Sequence, residues 1–202
     1  MSRLEWIFGR RAGLVGLSGL LLALVACKDG SSYLRLRSYK SGLEGRTYFA
    51  RFDRGYYCTD AQGNWQMVLT AVRPARQDPS QQIEQVLHVR IFWKAAPGQT
   101  FAEPTMTNAV LEYYIVCGAT AVRYSGAGFV SFRLNRRQDR LSGRIESGLL
   151  RAAQVVGGAA EVLGRCEVSG RFVAVLDRRR CVEVTGRMRR LFGPPAGKRE
   201  TL

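Results

Sequence analysis

Between residues 86 and 93 every second side chain is apolar: Leu87, Val89, Ile91 and Trp93 point one way, and Val86, His88, Arg90 and Phe92 the other. A period of two is that of an extended strand, and it conflicts with the 3.6-residue period of a helix. The pattern recurs along the chain. Tyr33, Arg35 and Arg37 alternate with Leu34, Leu36 and Ser38, and a strand is predicted over 48–52. Trp65, Met67, Leu69 and Ala71 share one face of a strand over 65–72, and 109–116 is apolar on both faces. Residues 122–134 and 141–151 predict a hairpin around 135–140. Residues 168–176 and 181–189 predict another around 177–180. Short runs rich in Val, Tyr, Phe and Trp, split by Gly, Pro and Asp, predict a single all-β domain over 33–192. It is expected to be an antiparallel barrel or sandwich of about eight strands, with the barrel preferred.

Helical periodicity with good caps is not sustained after residue 32. The nearest candidates are 79–85, behind Asp78, and 149–163, where Gly157-Gly158 fits a hairpin turn better than a helix interior. Gly126-Ala127-Gly128 lies between two β-like runs and reads as a turn, not a phosphate loop. The doublets Tyr56-Tyr57 and Tyr113-Tyr114 place one ring on each face, so their outward rings are free to line a ligand cavity or a partner surface. The strands and Gly-rich turns look somewhat like small lipocalin-type barrels, without a lipocalin motif. That likeness implies a fold and no activity.

One five-residue unit repeats. Leu141-Ser142-Gly143-Arg144-Ile145 recurs as Val168-Ser169-Gly170-Arg171-Phe172 and as Val184-Thr185-Gly186-Arg187-Met188, with a weaker form at Leu43-Glu44-Gly45-Arg46. In a strand the apolar residues flank the glycine on the buried side, and Ser/Thr and Arg share the other side. A buried strand glycine marks a bend, a bulge or a close approach. The repeat therefore predicts bent neighbouring strands and nominates Arg144, Arg171 and Arg187 as one basic face.

The first 27 residues carry the address. Arg3, Arg10 and Arg11 precede an apolar stretch over 12–26 that ends in Leu24-Val25-Ala26-Cys27. Fifteen residues containing Gly13, Gly16, Ser18 and Gly19 fall short of the roughly 20 needed to span a bilayer. Leu-Val-Ala-Cys resembles the lipobox of bacterial lipoproteins. The resemblance implies a signal peptide over 1–26, acylated Cys27 as the first mature residue, and a lipidated tether over 27–32. It places the domain outside the cytoplasm and attaches it to a membrane. Lys28 in place of an aspartate favours the outer membrane, facing the periplasm. Pro194-Pro195 and Gly197 predict a disordered tail over 193–202.

Outside the cytoplasm, four further cysteines, Cys58, Cys117, Cys166 and Cys181, are candidates for two disulfides. A hairpin turning at 177–180 would keep Cys166 and Cys181 from lying opposite each other, so these two are not paired, and spacing does not choose among the remaining connectivities. A zinc site is not expected, since no CxxC occurs and His88 is the only histidine. The formal charge is +15, and residues 133–190 hold fourteen arginines against six acids. Such a half attracts anionic lipid, envelope polymer or an acidic envelope protein, and nucleic acid is not expected there.

A nucleophile–histidine site would have to use His88, which the alternation puts on the more polar strand face as a surface residue. Glu112 and Glu146 are the only candidate acid–base pair, and pairing with nearby arginines is the simpler reading. No cofactor signature appears. The expectation is a lipid-anchored, non-enzymatic interaction module. The alternative is a barrel carrying a small amphipathic ligand such as a lipid.

Overall fold

The computed structural model describes residues 32–40, 42, 44–75, 78–94 and 107–193. The expected signal segment, Cys27, the tether up to residue 31 and the tail from 194 lie outside the described residues.

Nine strands and one helix follow in order: β1 (Ser32–Ser38), β2 (Thr47–Phe52), β3 (Arg54–Thr59), β4 (Trp65–Pro74), β5 (Gln82–Ile91), β6 (Ala109–Cys117), β7 (Thr120–Leu134), β8 (Arg140–Val156), β9 (Cys166–Leu176) and α1 (Arg178–Phe192). From β3 to β9 each strand pairs antiparallel with the next. The sheet closes where β9 pairs with β3, Tyr56 beside Val175 and Tyr57 beside Leu176. This closing pair is parallel, an exception to the expected antiparallel pattern. The result is a seven-stranded barrel, not a sandwich. The β1–β2 hairpin extends from the earlier part of β9. Only Asp53 separates β2 from β3, and its N–H donates to the Thr70 carbonyl at 3.0 Å. One run of chain thus serves β1 and then β4, so there are nine strands instead of about eight.

The interior is filled. Leu34 and Leu36 of β1, Met67 and Leu69 of β4, Leu87, Val89 and Ile91 of β5, and Phe172 of β9 point into one continuous core. Rings mesh within it, with Trp65 and Phe132 centroids 5.4 Å apart. Each such large side chain contributes about 1.5–3 kcal/mol by leaving water. One mouth is covered by the segment after β8. Gly157 and Gly158 have φ of 66° and 70°, the predicted turn. Leu163 then drops into the core at 5% exposure. The Tyr124 hydroxyl holds this segment, accepting from the Val162 and Leu163 N–H groups at 3.3 and 3.2 Å and donating to Glu161 at 3.1 Å.

The predicted second hairpin is wrong: 181–189 is helical. Asp177, taken for a turn residue, caps α1 by accepting the Arg180 N–H at 2.9 Å. Cys181, Val184, Met188 and Phe192 form its buried stripe, at spacings of three and four. That stripe competes with an equally legible alternation at Cys181-Val182-Glu183-Val184. The helix packs on Cys58, Val68, Val86, Tyr114 and Ala121 of the outer barrel wall. Two-sided burial explains why β6 is apolar on both faces. The outward rings Tyr56 and Tyr114 pack into this second layer. Tyr114 lies 5.3 Å from Phe192, so it does not line a ligand cavity.

Three smaller corrections follow. Residues 79–85 are not helical, because Asp78 binds the Ser80 N–H and side chain in a turn and β5 starts at Gln82. Strand β8 runs to Val156, through half of the other helix candidate. Gly126 and Gly128 sit inside β7, where a Cβ at Gly126 would come within 1.8 Å of the Leu149 carbonyl, so they mark close strand approach and not a turn.

Candidate anion-binding face

Helix α1 covers one side of the barrel, and the wall formed by β2, β1, β9 and β8 has no layer over it among the described residues. Alternation fixes what this wall presents. In β9, Val168, Gly170 and Phe172 face inward, so Glu167, Ser169 and Arg171 face out. The register aligns the outward residues in a row. Arg51 of β2 stands beside Tyr33 of β1, Tyr33 beside Arg171 of β9, and Arg171 beside Arg144 of β8. One step along, Phe49 stands beside Arg35, which stands beside Ser169.

These arginines are exposed, and Tyr33 and Phe49 lie between them with ring centroids 6.5 Å apart. Phe49 is 62% exposed, the most exposed large apolar residue described. Arg35, Arg51, Arg144 and Arg171 make no ion pair within 4 Å among the described residues. Neighbouring strands are about 4.8 Å apart, so like charges directly opposite repel. The face continues into the β7–β8 turn, where Arg133, Arg136, Ser142 and Val173 border an open groove of about 550 Å³.

The nominated arginines therefore separate. Arg144 and Arg171 are cross-strand partners. Arg187 lies on α1, outside any strand, and its guanidinium is hydrogen-bonded to both carboxylate oxygens of Glu84. The repeat of which it is part was misread, because Gly186 is a helix residue. Tyr33, Arg35, Phe49 and Arg51 complete the face in its place. The alternation at 33–38 contained the signal for two of them, but their alignment with Arg171 depends on the β1–β9 pairing, which joins residues 128 or more positions apart.

A second polar group is buried near the helix. His88 is 8% exposed, not a surface residue, because Val68 and Val86 beside it carry α1. Its Nδ1 lies 3.0 Å from Glu112, its neighbour on β6. Burial raises the Glu112 carboxyl, but the His88 hydrogen bond and charge, the Tyr114 hydroxyl and Arg123 outweigh it and hold the pKa below the usual value. Glu112 is thus paired with histidine instead of arginine. Glu146 accepts from Ser131 at 2.6 Å on the exposed face, so the two acids do not form a pair. Ser125 neighbours Glu112 across β6–β7, but the carboxylate lies between serine and histidine, the wrong order for a relay.

No two of the four described cysteines have their sulfurs at bonding distance in this structure. Cys166 points into the barrel, where burial pushes it up to about 12. Cys117 lies at the end of β6, 3.4 Å from the Gln81 side chain. Cys58 and Cys181 adjoin beneath α1. No group of three His, Cys, Asp or Glu able to hold a metal occurs among the described residues. Comparison with protein-family models, characterised proteins and solved structures gives no match to this chain.

Proposed function

We propose that the chain is a lipid-anchored envelope protein whose filled barrel presents the β2–β1–β9–β8 face to the anionic head groups of the leaflet that holds it. It carries out no chemistry of its own. The observation that carries this reading is the Arg51–Tyr33–Arg171–Arg144 row. A row of unpaired cations costs folding stability, and an anionic surface relieves that cost. Interleaved aromatic rings suit the boundary between head groups and water.

The tether supports the same orientation. From Cys27 to Ser32 is five residues, which extend to at most about 17 Å. With Cys27 acylated, β1 starts that close to the bilayer, and its outward Tyr33 and Arg35 come within reach of the surface potential. Acyl chains hold the protein there at about 0.8 kcal/mol per buried methylene. The packed interior and the Leu163-covered mouth favour this reading over a ligand carrier.

The test is photo-cross-linking of the full lipidated chain in vesicles, with benzoylphenylalanine in place of Phe49 or of Val182, which is 58% exposed on α1. The expected result is a phospholipid adduct at Phe49 in phosphatidylglycerol-containing vesicles and none at Val182. A specific protein adduct at Phe49 in whole envelopes, without lipid adducts, would replace the membrane by a protein partner. Equal labelling at both positions would overturn the reading. Mass analysis of the N-terminal peptide for acyl chains tests the anchor separately.

A further inference from the structure

We infer that Cys58 and Cys181 join in a disulfide when the chain folds in an oxidising compartment, fixing α1 to strand β3. Three placements bring the two sulfurs together. Cys58 faces outward from β3, since Tyr57 before it faces the core, and it is the register partner of Gln66 on β4. Cys181, in the first turn of α1, has its sulfur 4.0 Å from the carbonyl oxygen of that same Gln66. Both residues are buried, at 3% and 0% exposure, in the helix–barrel layer.

Neither Cys166 nor Cys117 can reach Cys58 or Cys181 without breaking the barrel. Cys166 faces the interior, so the sheet itself separates it from the two outer sulfurs. Arg90 and Val110 carry the Cys58–Gln66 row onto β6. Cys117 lies seven residues beyond Val110, about 23 Å along the strand.

The two sulfurs are chemically unequal. The positive charge of Arg178 near Cys58 favours its thiolate, whereas burial and the negative charge of Asp177 disfavour that of Cys181. Cys58 is therefore the attacking sulfur. Its thiolate attacks one sulfur of an oxidant disulfide, such as that of an export-compartment oxidoreductase, and expels the other as a thiolate. The Cys181 thiolate then attacks Cys58 in the mixed disulfide, forming the Cys58–Cys181 bond and releasing the second oxidant sulfur. The chain loses two thiol hydrogens as two protons and two electrons, and the oxidant disulfide becomes two thiols. Both sulfurs are buried once α1 is docked, so exchange takes place while the first turn of α1 is open.

The consequence is a helix held by a covalent bond as well as by its apolar stripe. The test uses the full chain extracted from the cell envelope, unfolded and alkylated with iodoacetamide with and without prior reduction. The expected result is two fewer labelled cysteines in the unreduced sample, mapping to Cys58 and Cys181, and a peptide linking them that disappears on reduction. Reduction also lowers the melting temperature by roughly 5–15 °C, a shift that Cys117→Ser leaves unchanged. Full labelling of both cysteines without reduction, or a linked peptide containing Cys117 or Cys166, would overturn the inference.

Discussion

Arg144 on β8 and Arg171 on β9 are direct cross-strand partners on the outer barrel wall, with no carboxylate within 4 Å of either among the described residues. The next position in the row is Tyr33, and the one beyond is Arg51. Folding alone would favour an acid at one of these sites.

Arg144→Glu should therefore stabilise the isolated protein while weakening its function. Turning a like-charge pair into an opposite one gains about 0.5 kcal/mol, read as a higher urea midpoint. The same change removes a cation worth about 1 kcal/mol at an anionic surface, so lipid cross-linking from position 49 falls severalfold. Arg144→Glu with Arg171→Glu restores like charges. The stability gain disappears and cross-linking falls further. In the unaltered chain, raising salt from about 0.1 M to about 1 M shortens the screening length from about 10 Å to about 3 Å and suppresses the adduct. An adduct yield insensitive to both charge and salt would point to the apolar rings alone.

The repeated unit offers a sharper contrast. Gly143 faces the barrel interior, where a Cβ would lie 2.6 Å from the Phe172 ring and 2.2 Å from the Ser131 carbonyl. Gly186 lies within α1, where the nearest atom to an added Cβ is an Arg190 guanidinium nitrogen at 3.6 Å. Gly143→Ala should cost about 1–3 kcal/mol through overpacking. Gly186→Ala should gain about 0.5–1 kcal/mol, because alanine loses less entropy in a helix. Urea unfolding of the two variants checks both signs.

That contrast also shows where sequence reasoning reaches its limit. Val168–Phe172 and Val184–Met188 share the same pattern of apolar, small polar, Gly, Arg and apolar residues. Over five residues, positions one, three and five define a strand face, and positions one and five also lie one helical turn apart. Only Asp177 as a cap and the longer stripe from Cys181 to Phe192 distinguish the two. Elsewhere local pattern sufficed: Leu87, Val89 and Ile91 pack in the core as their alternation requires. His88 was misplaced for the same reason as Arg187, since both depend on a helix that the pattern concealed. The basic face was half legible. Periodicity gave its outward residues, but the pairing of β1 with β9 is a long-range fact that no local window contains.

Acid should loosen the protein through two carboxylates. Glu112 is held below its ordinary 4.5 by His88, Tyr114 and Arg123 despite burial. Glu161 is likewise held below 4.5 by the Gly164 N–H, Lys40 and Tyr124, against the opposing effect of burial. A group whose pKa is lower folded than unfolded contributes stability above the unfolded value and loses it as pH falls through the folded one. The urea midpoint should therefore hold steady from about pH 7 to about pH 5 and then drop. Glu112→Gln should start lower at neutral pH, since His88 loses its charged partner, and fall less steeply in acid. An unchanged acid slope in that variant would assign the effect elsewhere.

The Tyr124 hydroxyl gives the last test, because it fixes the segment over the barrel mouth without contributing to the wall. It accepts the N–H groups of Val162 and Leu163 and donates to Glu161, and Leu163 also donates to Glu161 at 2.9 Å. Tyr124→Phe keeps the ring, which packs 6.2 Å from Tyr113, and removes only the hydroxyl. The Val162 N–H then loses the tyrosine oxygen while that of Leu163 retains Glu161, so the global cost should be about 1–2 kcal/mol. The local cost should be larger relative to its surroundings. Amide exchange at Val162 and Leu163 should accelerate well beyond that of β5 and β6, where the barrel ladder is intact. If the mouth segment opens this way and an amphipathic fluorescent fatty acid then binds saturably, the filled interior is not the barrier, and the carrier reading regains ground. If exchange accelerates without such binding, the packed side chains themselves exclude ligand, as expected of a scaffold that works through its outer face.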